Sequence, residues 1–85
     1  MNFYEIHRCS ISDATHALVG RGPEGAVGVI HWHSQLKSAQ KDALAINKRG
    51  GRVRVVDAPG GKLRPHVADE VREMVLKSLN AVAHA

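Results

Sequence analysis

Apolar and polar residues alternate along this chain with two periods, and each change of period marks an element. Over residues 2–8, NFYEIHR, Tyr4 and Ile6 fall on one side and Phe3, Glu5 and His7 on the other, which predicts a first strand. ISDAT reads as a turn. The runs HALVG and AVGVIHWH are rich in β-branched residues and are joined by RGPEG, whose glycines and proline suit a hairpin loop. From Ser34, an N-cap residue type, the spacing lengthens: Leu36, Ala39, Ala43 and Ile46 recur as one helical face while Lys37, Lys41 and Lys48 lie elsewhere. Gly50-Gly51 offers the positive φ at which helices stop. RVRVVD then alternates again, with Val53 and Val55 inward and Arg52, Arg54 and Val56 outward. After the turn APGGK, Pro65 opens a last helix reaching about His84, with Asp69 and Glu70 in its first turns and a stripe of Val67, Val71, Met74, Val75, Leu79 and Val82.

The order β-β-β-α-β-α predicts an α+β fold: a four-stranded antiparallel sheet with two helices on one face. A chain of 85 residues has room for one core, so residues 1–85 form a single domain. Phe3, Tyr4 and Trp32 are the only aromatics, which leaves a thin aliphatic core. Leu76 and Ala83 widen the last helix's apolar surface beyond what a small sheet must cover, so a homodimer through that helix is expected.

The formal net charge of +4 favours an anionic partner. The single Cys9 excludes an internal disulfide, and the start MNFYEIHRCS lacks the basic-then-apolar run of a secretory signal, so the expected compartment is the cytoplasm. No apolar run approaches the roughly 20 residues of a membrane helix, and no membrane partner is expected.

Candidate chemistry is sparse. In VIHWHS, His31 and His33 stand two apart on one strand face, a spacing that zinc and copper sites use. Two ligands do not make a site, and Cys9, His7, His16 and His66 form no second close pair. The pattern instead places Ile30 and Trp32 in the core and both histidines on the polar face of a strand end. Gly20-Arg21-Gly22-Pro23-Glu24-Gly25 spells G-x-G-x-x-G, but Pro23 sits inside it and a strand pattern follows where a dinucleotide site needs a helix. Gly60-Gly61-Lys62 lacks the rest of a phosphate-binding loop. Cys9 beside His7 has no orienting group for nucleophilic catalysis. Glu73 and Lys77 read as an ordinary i,i+4 surface pair. No catalytic residue, metal or cofactor is expected.

The segment INKRGGRVRVVDAPGGKLRP differs. Between Lys48 and Arg64 it carries Lys48, Arg49, Arg52, Arg54, Lys62 and Arg64 against Asp57 alone, half of the chain's Lys and Arg. Arg52 and Arg54 share a strand face that the helix end and the following turn would flank, which allows one patch for phosphates. Without interleaved aromatics such a patch would not read bases. Arginines also keep solvated edge strands from aggregating, and that use needs no ligand.

KSAQKDALAINKRGG and RVRVVDAPGGKL together resemble a group of small uncharacterised bacterial and phage proteins built from a β-hairpin, an Ala-rich helix and a strand between two GG turns. The resemblance covers about a third of the chain and implies an α+β fold with no activity attached. The chain departs from it in the GRGPEG loop and the C-terminal helix. The expected function is a small non-enzymatic binding module for nucleic acid or another polyanion. The alternative is a protein-interaction factor, such as a phage or mobile-element inhibitor of a host complex, a CRISPR inhibitor included, with an acidic protein surface as the expected partner.

Overall fold

A computed structural model describes residues 6–83, with side chains through residue 81. A 3₁₀ turn at Ile11–Asp13 leads into β1 (His16–Arg21), which a tight hairpin joins to β2 (Val27–His33). α1 (Leu36–Lys48) carries the chain to β3 (Arg52–Asp57), a second 3₁₀ turn follows at Pro59–Gly61, and α2 (Pro65–Ala83) closes the order. The sheet has three strands in the order β2-β1-β3, and β1 pairs antiparallel with both neighbours.

The expected fourth strand is not among the described residues. Of residues 2–8, the first four lie outside the described part, and residues 6–8 are irregular. They are nevertheless tied down. Cys9 N–H donates to the Trp32 carbonyl at 3.0 Å, and His7 N–H donates to Ser38 Oγ at 2.8 Å.

The two helices also lie on opposite faces rather than on one. β2 and β3 flank β1, so α1 must cross the central strand, and it does so over Leu18, Val53 and Ile30, which pack with Ala39, Ala43 and Ile46. Arg54 points away from the face of Val53 and Val55, and there it pairs with Glu70 of α2. The second face holds Ala17 and Val19, both fully buried, while Val67 of α2 is also buried. A sheet buried on both faces needs few residues per layer, and alanines on α1 let that helix sit close.

α1 ends as its sequence predicts. Gly50, at φ +97°, donates to the Asn47 carbonyl, and Gly51 donates to the Ile46 carbonyl, the paired bonds of a Schellman motif. A Cβ on Gly51 would stand 2.5 Å from the Ile46 side chain and 3.1 Å from the Arg21 carbonyl, so the helix end and β1 approach each other closely. No helix among the described residues is long and apolar enough to cross a membrane.

Candidate functional site

Two groups of ionisable side chains stand out, one buried between β2 and α1 and one exposed at the hairpin end of the sheet. The buried group overturns the strand-end reading of VIHWHS. Leu18 pairs with His31 while Val19 pairs with Val29, so Ile30 is an extra residue and a bulge breaks the alternation. Ile30 and His31 consequently both address α1: Ile30 packs on its core side chains, and His31 Nδ1 donates to Asp42 at 2.8 Å. His33 is fully buried. Trp32 instead shares the opposite face with Ala17, its partner in β1.

On α1, Ser38 and Asp42 lie one turn apart on the buried side, between Ala39, Ala43 and Ile46. Asp42 is the hub. Its carboxylate accepts hydrogen bonds from Arg8 Nε and Nη2, each at 3.1 Å, from His31 Nδ1 and from His33 Nε2 at 2.8 Å. Burial pushes the Asp42 carboxyl up, but the Arg8 and His33 bonds and the adjacent His31 outweigh it and hold the group below the usual carboxylate value. The second nitrogen of His33 lies 2.7 Å from the His7 carbonyl oxygen and 2.9 Å from Ser38 Oγ. Carbonyl and carboxylate oxygens only accept, so the two bonds call for a proton on both His33 nitrogens. Ser38 donates to the His7 carbonyl at 2.8 Å and accepts the His7 N–H, which closes the network. No buried side-chain N or O among the described residues lacks a partner.

Ser38, His33 and Asp42 thus stand in the order hydroxyl, imidazole, carboxylate. The order does not make a nucleophile. Ser38 is buried, its proton is committed to a backbone carbonyl, and His33 donates toward it rather than accepting. Arg8 also occupies both oxygens of Asp42, the contact a metal would need.

At the other site the structure divides the six basic residues of the sequence pattern. Lys48 and Arg49 end α1, and Arg52 begins β3, all at the hairpin end. Lys62 and Arg64 follow the far end of β3, about 17 Å away at ~3.3 Å per residue, where Arg64 meets Asp57 at 3.4 Å. Arg54, between them, is committed to Glu70; that bond raises the guanidinium's pKa and lowers the carboxyl's. The register adds a residue that the pattern did not include. Arg21, the last residue of β1, is the direct partner of Arg52. Arg21, Lys48, Arg49 and Arg52 are all exposed, and none has a carboxylate partner among the described residues.

Local structure explains three of these positions without any ligand. Lys48 and Arg49 meet the negative end of the α1 dipole. Arg52 lies on an edge strand, where charge deters pairing. Arg21 is on the central strand, and nothing in the packing accounts for it. No family model, curated protein or solved structure matches this chain.

Proposed function

We propose that this protein is a non-enzymatic binding module, acting in the cytoplasm, that holds the phosphate backbone of a nucleic acid at the hairpin end of its sheet. Arg21 carries this reading. Like charges placed directly opposite in a sheet are destabilising, and the Arg21–Arg52 pair has no carboxylate to relieve it among the described residues. An anion with repeating charge removes that repulsion. The role is narrower than the sequence pattern suggests, because Arg54 and Arg64 already have carboxylates. Arg54, Arg64 and Lys62 then contribute to the field more than to contact.

The test is salt. Four neutralised phosphates give a slope of about −3.6 in log K against log salt on a duplex, a loss of roughly a hundredfold between 50 and 200 mM. Changing Arg21, Arg49 and Arg52 together to Gln should flatten the slope toward about −1. An unchanged slope in that variant removes the reading.

A second reading, a protein-interaction factor that engages a host complex or a second copy of the chain, draws on α2. Leu76 and Leu79 are 52% and 61% exposed on neighbouring turns, the kind of apolar surface that marks association. Changing both to Glu should abolish self-association in sedimentation and leave the salt-dependent binding in place. A wild-type monomer at high micromolar concentration would sink the homodimer.

A further inference from the structure

Beside the basic end, the hairpin loop, β2 and the end of α1 enclose a cleft of about 330 Å³. Its apolar wall includes Pro23, Ala26, Val27, Val29 and Ile30, and its polar groups are Glu24, His31 and Arg49. We infer that this cleft receives one unpaired base, so that the nucleic acid bound at the basic end is single-stranded; the inference rests on the reading of that end as a phosphate site.

Three observations carry it. At about 330 Å³ the cleft has the size of a small-ligand site, with apolar and polar groups both on its wall, and it is far too small for a duplex. His31 is one of those polar groups. Its Nδ1 donates to the buried Asp42 at 2.8 Å, which sets the ring and leaves Nε2, on the far side, as the atom that can meet a guest. Arg49 only donates, Glu24 only accepts, and His31 Nε2 is the ring nitrogen left to bond a guest. A flat guest with both donors and acceptors on its edge, and an apolar face, satisfies that set. A nucleobase has this character, and a guanidinium plane such as that of Arg49 is a surface on which bases stack.

The third observation is continuity. Arg49 belongs both to the cleft wall and to the cations that have no carboxylate partner among the described residues, so a base in the cleft brings its own phosphate to Arg49 and the adjacent Lys48. In a duplex every base is paired and stacked, and none enters without being pulled out of the helix. The charge pattern alone attracts both forms of nucleic acid. The cleft distinguishes them.

The structure also supplies a variant that blocks the cleft and leaves every cation in place. Gly22 lines it, has no positive φ that would exclude a side chain, and would place a Cβ 3.9 Å from Ile30 Cδ1, an ordinary contact distance. Gly22→Leu therefore fills the cleft from its wall.

The experiment measures fluorescence anisotropy of the wild-type chain with three DNA probes of equal length: a mixed-sequence single strand, the same phosphodiester with every base replaced by an abasic sugar, and the duplex. The single strand should bind at least tenfold tighter than either other probe. Gly22→Leu should reduce it to their level, with a circular-dichroism melt reporting whether the variant folds. The abasic comparison needs no variant, so it stands even if Gly22→Leu unfolds. Equal affinity for the single strand and the abasic strand overturns the base-binding cleft while leaving phosphate binding intact. No salt-dependent binding of any probe overturns both.

Discussion

The buried cluster around Asp42 and the basic end around Arg52 are each built from ionisable residues on three segments of the chain, and they resolve charge in opposite ways. In the first, one carboxylate collects Arg8, His31 and His33, all within 3.1 Å, and Ser38 closes the remaining polar contacts. In the second, four cations lie at one end of the sheet with no carboxylate partner among the described residues. A buried charge must be answered within the fold, because leaving it unpaired costs several kcal/mol. An exposed charge can stay unanswered, since water screens it. Partner satisfaction therefore marks the first cluster as a fastening of the fold. The lack of it at the second leaves a surface on which an external anion has something to gain.

The sharpest way to break the comparison is to remove the hub. Asp42→Ala leaves His33 buried without its counter-charge and should cost about 3–5 kcal/mol, a large part of the total stability of a domain this size. The urea midpoint measures it. Arg8→Ala should cost at most about 1 kcal/mol, because that side chain is 50% exposed and water replaces part of what it gives. Equal losses from the two would mean that Asp42 is not the centre of the network.

Acid tests the same point without a substitution. The folded-state pKa of Asp42 lies below its ordinary value, so its contribution is fully present above pH ~4 and is lost as pH falls through the folded-state value. The urea midpoint should drop between pH 5 and pH 2, and Asp42→Asn should flatten most of that drop. Glu70, held down by Arg54, contributes in the same direction and leaves a residual slope. A full slope in the Asn variant would assign acid sensitivity elsewhere.

The two histidines should differ in turn. His33→Leu strips donors from Asp42 and from the His7 carbonyl and should cost about 1–3 kcal/mol. The loss should also expose the amides of His7 and Cys9 to faster hydrogen exchange, because those residues are held through the same contacts. His31→Leu removes one bond from a partly exposed side chain and should cost about 1 kcal/mol or less. Both substitutions would be silent if the pair were only a strand end.

That strand-end reading fails for a local reason, and it shows how far a linear pattern reaches here. The hairpin RGPEG, the Gly50-Gly51 stop, the alternation of RVRVVD and the Pro65 start are each written in neighbouring residues, and the structure has them where the pattern places them. The bulge at Ile30 has no such mark. It turns His31 toward α1, and so converts two apparently exposed histidines into members of the interior. The one available signal was the pair Ser38 and Asp42, four apart beside Ala39 and Ala43, polar residues on a face that must be buried. Placement of the helices on opposite faces depends on β3 joining the far side of β1, which local periodicity does not encode. Arg21 was lost for the same reason. It lies 31 positions from Arg52, and only the register brings them together.

The smallest predicted effect is the one that bears most directly on why the basic end exists. If Arg21 and Arg52 face each other at some expense to the sheet, Arg52→Thr should stabilise the free protein by about 0.2–1 kcal/mol, since it relieves a like-charge pair and places a β-branched residue in a strand. The same substitution should weaken nucleic-acid binding and lower the salt slope by about one. Added salt sharpens the distinction: at 1 M the repulsion is screened, so the stability gain should shrink to the part that strand propensity supplies while the loss of binding at low salt remains. A gain that persists unchanged at 1 M salt would come from strand propensity alone, and Arg21 would then need no anion to explain it. A loss of stability would place Arg52 among the residues that hold the edge of the sheet, and the contrast with Asp42 would collapse at that position.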